Sequence, residues 1–512
     1  MANSNVKTRI RARGLPGSSM SNANNEESLI DEKGGDFGSL TNKGNNKKRQ
    51  NIPNGNSISD REAAESSARK KKWRMIAGTV IVTAGAWFFF VYSASSGEKL
   101  VPVKMKEAAA ATTGTGEKKI KFPVPPDTRP AQCLKKTPKY DVGNSTVSIV
   151  IPYLREKYVH IKGTVGSIIA HTPANLLKEI IFISDGNNEK ESHQEKIEQL
   201  SPLARVIRLP SRHGLIYAKQ LGAKEAKGDV VMFFEPHCIV GYNWLEPLVH
   251  YVRINPRSLV LPTLDYIPQD NFRSYAKAAN GRYRFEWNFN LIYTNPPTGV
   301  DPDTSRPYFA PATSGGIFAI KKQFFLELEL FDVPMKQWGG DQIELSFKAW
   351  RCGSGITVVP CARVGHLFRD VAFRPYPVDV PQVVENYAKL ARVWLEPPYL
   401  EAFYKVKPEA RGMAMKDDLS ISANNFKRLQ CKSMNWYITN VDLELGWEAT
   451  RICIPGAKGH PSGCELDAAA PGRSTIDRVM PEEEYRDWAA DSEIWSNLDE
   501  LLDNIDKSIT ES

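Results

Sequence analysis

The sequence predicts an α/β fold, a sheet covered by helices, preceded by a single transmembrane helix. Three observations predict it. Short β-branched apolar runs alternate with helix-patterned stretches from about residue 147 onward. Two of those runs end on acidic residues, Asp185 and Glu235. One stretch without charge, Met75 to Gly97, follows a polar, lysine-rich N-terminal region.

The elements read in order as follows. "STVSIVIPY" is a run suited to a buried strand, and Val159 to His171 has helical spacing. "LLKEIIFISDG" repeats the strand pattern and closes on Asp185-Gly186, and "ARVIRLP" is another strand. "GLIYAKQLGAKEAKG" is a helix ending on Gly228, and "DVVMFFEPH" the next strand. Strands alternating with helices imply a parallel sheet with both faces covered. Beyond Leu248 the pattern becomes mixed, with a strand in "SLVLPTLDYI" and an aromatic-rich segment from Tyr275 to Tyr293. "DQIELSFKAW" is helical and puts Ile343, Phe347 and Trp350 on one stripe, a core face.

In such sheets ligands collect at the carboxyl ends of strands, where Asp185 and Glu235-Pro236-His237 fall. Glu235 and His237 are two residues apart, so in extended chain they share a face and fit one divalent metal. A strand-end turn with a solvated Glu and a hydrogen-bonded His fits the same three residues. The glycines of "SGG" and "WGGD" fit either close approach of backbone to a ligand or ordinary turns.

The chain has 512 residues, 41% of them hydrophobic, which allows one large core plus appendages. The net charge of +8 is conspicuous in "NKKRQ" and "ARKKKWR" near the N-terminus, and no nucleic-acid motif accompanies it, so no nucleic-acid partner is expected. Residues 1–74 read as a disordered cytosolic tail and 75–97 as a signal-anchor helix long enough to cross a bilayer. Arg69, Lys70, Lys71, Lys72 and Arg74 crowd its entry, which orients the rest of the chain to the lumen. Residues 98–140 read as a stem extended by prolines, 141–440 as the α/β domain and 441–512 as a C-terminal extension. In the lumen the seven cysteines meet an oxidising environment, and Asn144 in "NST" is a glycosylation acceptor. The segment 484–505 patterns as a peripheral amphipathic helix.

The chain from about Cys133 to about Ile438 resembles the polypeptide N-acetylgalactosaminyltransferases. The motifs that carry the likeness stand in the family's order: "LLKEIIFISD", "HGLIYAKQLGAKEAKGDVVMFFEPHCIVGYNWLEPL", "SGGIFAIKKQFFLELELFD", "WGGDQIELSFKAWRCG", "VVPCARVGHLFR" and "RLQCKSMNWYI". The resemblance implies a GT-A catalytic domain in a type II Golgi membrane protein. It implies a retaining transfer of N-acetylgalactosamine from UDP-GalNAc to Ser or Thr hydroxyls of a polypeptide. By the same resemblance Glu235, His237 and His366 bind Mn²⁺, and Asp185 lies on the uridine side. Ser314, Gly315 and Gly316 border the sugar, and Arg369 faces the diphosphate. Trp338, Gly339, Gly340 and Asp341 match Trp-Gly-Gly-Glu, with Asp341 and Trp338 at the reacting centre. The family's pairing joins Cys133 to Cys361 and Cys352 to Cys431, leaving Cys238 buried and free. Cys453 and Cys464 are close enough in sequence to close a short loop, without family warrant.

The departures from the pattern are specific. Glu235 stands for Asp, Asp341 for Glu, Tyr217 for Arg and Ser184 for an acidic residue, and "PYLRE" (Pro152 to Glu156) replaces Phe-His-Asn-Glu. After Tyr437 about 75 residues remain, too few for the β-trefoil lectin domain most members carry. These departures sustain a second expectation, an inactive luminal binding or regulatory protein on the same fold. A different UDP-sugar donor fits them as well.

Overall fold

Nine strands form the central sheet of the computed structural model, which describes residues 101–111, 119–135, 140–301, 303–370, 374–414 and 416–452. They are β1 (Val147–Tyr153), β2 (Leu177–Asp185), β3 (Ala204–Leu209), β4 (Val230–Phe233) and β5 (Cys238–Val240). β6 (Leu259–Ile267), β7 (Tyr308–Phe309), β8 (Phe318–Lys321) and β9 (Ile356–Leu367) complete it. Their spatial order is β7-β9-β6-β8-β4-β1-β2-β3, with β5 pairing β9.

Strands β3, β2, β1 and β4 are parallel, as the alternating pattern predicts. The second half is mixed. β8 lies antiparallel between β4 and β6, while β6 and β9 are parallel and β7 and β5 run antiparallel to β9. Continuous apolar runs make these strands because both faces are covered. Ile149, Ile151, Ile180, Phe182 and Met232 point into one core, and Val150, Ile181, Ile183, Val231 and Phe233 into the other. The helix Leu215–Glu225 settles directly on β1 through Gly222, where a Cβ would lie 2.2 Å from Val150 Cγ1. The helix Asp341–Arg351 is buried along its whole length, with Ile343, Phe347 and Trp350 in the core.

The described part of the segment 98–140 differs from an extended stem. Lys106–Ala111 and Lys119–Val124 pair as an antiparallel two-stranded sheet. Ile120 and Phe122 are buried against the helix Tyr158–His171, whose Gly166 admits the Phe122 ring. "KIKFPV" alternates as a strand does, and its proline sits in a two-stranded sheet that tolerates it. At the other end the core runs past residue 440. Leu445 and Ala449 of the helix Leu443–Arg451 are buried, and Trp287 Nε1 donates to the Leu445 carbonyl at 2.9 Å.

The disulfides Cys133–Cys361 and Cys352–Cys431 are formed, and Cys238 is buried and free. Among the described residues no helix is long and apolar enough to cross a membrane. The 1–74 tail, the 75–97 segment, Cys453, Cys464 and the 484–505 segment lie outside the described residues.

Candidate functional site

Strand β4 stops at Phe233, and Glu235-Pro236-His237 carries the chain into β5. β5 pairs antiparallel with β9 in the register that sets Cys238 beside His366. That pairing brings His366 to the strand end 131 residues away in sequence. His366 Nε2 lies 2.7 Å and His237 Nε2 3.0 Å from the same oxygen, Glu235 Oε2. Ligand atoms of the three residues all lie within 4.8 Å of one another.

The chemistry of this trio fits a cation. Glu156 Oε2 lies 3.0 Å from His237 Nδ1, and a carboxylate only accepts, so Nδ1 carries the proton. In the neutral ring Nε2 is then a lone pair aimed at a carboxylate oxygen. Two acceptors at that distance require a proton or a cation between them. A proton on His237 Nε2, with neutral His366 donating its Nε2–H to the same oxygen, meets these contacts. One divalent ion bound by Glu235, His237 and His366 meets them as well, since the three ligand atoms converge on one point. Burial opposes ionisation of Glu235, but His366 and His237 outweigh it and hold the carboxyl well below its ordinary range.

Glu156 is the residue that sequence reasoning missed, noted only as the end of an unusual strand-end motif. Besides His237 it binds His160 Nδ1 at 2.6 Å and the Arg369 guanidinium at 2.7 and 2.8 Å. Burial would raise its pKa, but His237, His160 and Arg369 together push it far down. Arg369, expected to face a diphosphate, is thus anchored beside the trio. The available signal was a Glu three residues past a strand, just before a helix whose first turn carries a His four residues further on.

Asp341 opens the helix Asp341–Arg351 behind two glycines in left-handed backbone, Gly339 at φ 94° and Gly340 at φ 100°. Only glycine adopts these angles without strain. Asn386 holds the turn by bonding the carbonyls of Lys336, Trp338 and Gly339, a second role absent from the sequence reading. Lys219 is the third. Its Nζ donates to Asp341 Oδ2 at 2.7 Å and to the Gly315 carbonyl at 2.8 Å, with both side chains buried. Asp341 Oδ1 is buried and accepts no hydrogen bond from the described residues. Ser314 meets the phenol of Tyr283 nearby.

Asp185 is spent on its own loop. It accepts the backbone N–H groups of His213 at 2.6 Å and Gly214 at 2.9 Å, fixing the start of the helix Leu215–Glu225. With Arg212, Trp338 and Tyr376 it lines a cavity of about 60 Å³ next to Gly214. Tyr217 is half exposed and stacks on His213 at 4.7 Å, outside that lining. Asn144 is exposed just before β1, at the opposite end of the strands from the trio.

Residues 148–324 match the model of glycosyl transferase family 2. Polypeptide N-acetylgalactosaminyltransferase 11 of Xenopus tropicalis is 35% identical over 346 residues, 66% of this chain and 55% of that protein. The inactive polypeptide N-acetylgalactosaminyltransferase-like protein 5 of Macaca fascicularis is 35% identical over 327 residues, 62% of this chain and 72% of that protein. The crystal structure of GalNAc-T7 with UDP, GalNAc and Mn²⁺ superposes with a TM-score of 0.58 at 30% identity, covering 63% of this chain and 61% of that one. The chain spans about half the length of most curated relatives it matches. The mixed sheet is therefore a GT-A glycosyltransferase fold. A match of this identity across nearly three quarters of a whole relative reflects common descent, and the chain belongs to the polypeptide N-acetylgalactosaminyltransferase family.

Proposed function

We propose that the protein is a Mn²⁺-dependent transferase that moves N-acetylgalactosamine from UDP-GalNAc to Ser or Thr hydroxyls of a polypeptide, with retention at the sugar. The observation that carries this is the convergence of Glu235, His237 and His366 on one point at the strand ends, beside the Asp341 turn. A carboxylate oxygen with two imidazole nitrogens suits Mn²⁺ and leaves positions for phosphate oxygens. Bound there, the ion would act as a Lewis acid that neutralises charge on the departing diphosphate.

The protein's own groups do the rest by positioning and electrostatics. Glu156 fixes the His237 ring and holds the neutral ring's proton on Nδ1, so that Nε2 is the nitrogen offered to the cleft. Arg369, held by that same carboxylate, offers positive charge to the diphosphate. Asp341 Oδ1 accepts a sugar hydroxyl while Lys219 holds Oδ2 still. Trp338 and the loop braced by Asp185 wall the nucleotide side. The acceptor oxygen bonds to the anomeric carbon as that carbon's bond to the diphosphate oxygen breaks, the hydroxyl proton passes to the departing diphosphate, and no protein nucleophile stands between.

We place this chemistry in the Golgi lumen, with residues 75–97 as the anchor. Two disulfides support an oxidising compartment. Protease protection of the large C-terminal part in intact vesicles tests the orientation.

A second reading, a binding protein without transferase activity, is favoured by two observations. One relative bears the name inactive, and the shorter Asp341 is already ion-paired with Lys219. Incubation with UDP-GalNAc and a Thr-rich peptide, with Mn²⁺ or EDTA, separates the two. Glycopeptide formed only with Mn²⁺ supports the transferase. UDP binding without product supports the second reading.

A further inference from the structure

We infer that Gly316 is a positioning residue for the metal-site carboxylate, because its missing side chain is the space Glu235 occupies. This deepens the metal reading above and rests on it. By resemblance Gly316 borders the sugar, but the two glycines of the pair are glycine for different reasons. Gly315 has φ +75°, a backbone that L side chains rarely adopt, whereas Gly316 is not among the residues with positive φ. Nothing in its backbone asks for glycine.

What position 316 asks for is room. A Cβ there would lie 2.4 Å from Glu235 Oε1, and the next nearest atoms are Glu235 Cδ at 3.4 Å and Cγ at 3.9 Å. The register explains the meeting. β8 pairs antiparallel with β4 with Phe318 opposite Phe233, and continuing that ladder by two residues sets 316 opposite 235. The carboxylate is therefore held from two sides. Its Oε2 faces the imidazoles of His366 and His237, and its Oε1 rests against a bare Cα.

The extra methylene of Glu235 over the Asp of the family pattern adds roughly 1.5 Å, one C–C bond, of reach. That length has to be accommodated, and the open face of residue 316 accommodates it. The clashing atom is the free end of a flexible side chain, so a methyl group at 316 turns the carboxylate away from the two histidines and leaves the fold intact.

The test is Mn²⁺ binding to the full chain in detergent, read from the loss of the free Mn²⁺ electron paramagnetic resonance signal. We expect Gly316→Ala to weaken binding on the order of 10- to 100-fold, the range seen when a metal ligand loses its support. Glu235→Asp in the Gly316→Ala background should recover most of that loss, since the shorter side chain clears the methyl. A loss from general damage would not be rescued. Equal binding by wild type and Gly316→Ala, or a double variant no better than Gly316→Ala, overturns the inference while leaving the metal site standing. Absence of Mn²⁺ binding by the wild type overturns the metal reading and the inference together. Melting with EDTA gives an independent check. Gly316→Ala should cost nothing in a Glu235→Ala background, and a drop in melting temperature there would show a collision with some other group.

Discussion

Removing Lys219 should cost more than removing the whole ion pair it belongs to. Lys219 Nζ lies 2.7 Å from Asp341 Oδ2, and both side chains are only 3% exposed. At an effective dielectric of about 20, Coulomb attraction at that distance is roughly 6 kcal/mol. Desolvating each ion costs several kcal/mol, so the pair is close to break-even. A single buried charge has no such compensation. Lys219→Met preserves the length of the side chain but strands the Asp341 carboxylate, and it also removes the donor to the Gly315 carbonyl at 2.8 Å. The expected loss is about 3–5 kcal/mol from the stranded charge, plus about 1 kcal/mol for the hydrogen bond. Lys219→Met/Asp341→Leu should recover most of the first figure. Urea denaturation of the EDTA-treated protein at neutral pH measures both. A loss below about 1 kcal/mol in Lys219→Met, or a double variant as unstable as the single, would mean that water reaches the pair and that its burial argument fails.

Glu156→Gln should weaken Mn²⁺ binding about 10- to 100-fold, because the amide cannot accept from His237, His160 and Arg369 together; unchanged affinity in a metal titration would remove Glu156 from the site. Glu179 is raised by burial but lowered further by Arg205, the Lys227 amide and Ser148, so its folded pKa lies below the ordinary 4.5. Its contribution is therefore complete above 4.5 and lost as the pH falls through the folded value. The stability gap between wild type and Glu179→Gln, read from urea midpoints, should narrow on acidification, and a constant gap would refute the assignment. The Cys352–Cys431 bridge closes a sequence separation of 79 residues, so Cys352→Ser/Cys431→Ser should destabilise by up to about 4–5 kcal/mol if the unfolded chain is the state constrained. An unaltered urea midpoint would show that helix packing alone holds the C-terminal segment.

The sequence by itself determined the elements that carry their own period. The apolar runs of β1, β2 and β4 announce strands covered on both faces, and the Ile343, Phe347, Trp350 stripe announces a buried helix. Glu235 and His237 were legible as a possible metal pair because i and i+2 share a face locally, whatever the rest of the chain does. His366 was legible only through the likeness of "VGHLFR" to a family motif. Nothing in the local pattern says that β5 will pair with β9, 131 residues separating Glu235 from its partner. Lys219 and Asp341 are 122 residues apart and meet only because the helices that carry them both pack beside the Gly315 turn. The strands Lys106–Ala111 and Lys119–Val124 read as part of an extended, proline-rich stem because the cover for Ile120 and Phe122 comes from the helix Tyr158–His171, which lies beyond the local pattern. Periodicity is a property of a few neighbouring residues, whereas strand order and register are settled by which distant surfaces bury one another. The carboxylates, imidazoles and lysine of the site acquire their partners, and so their chemistry, at that second step.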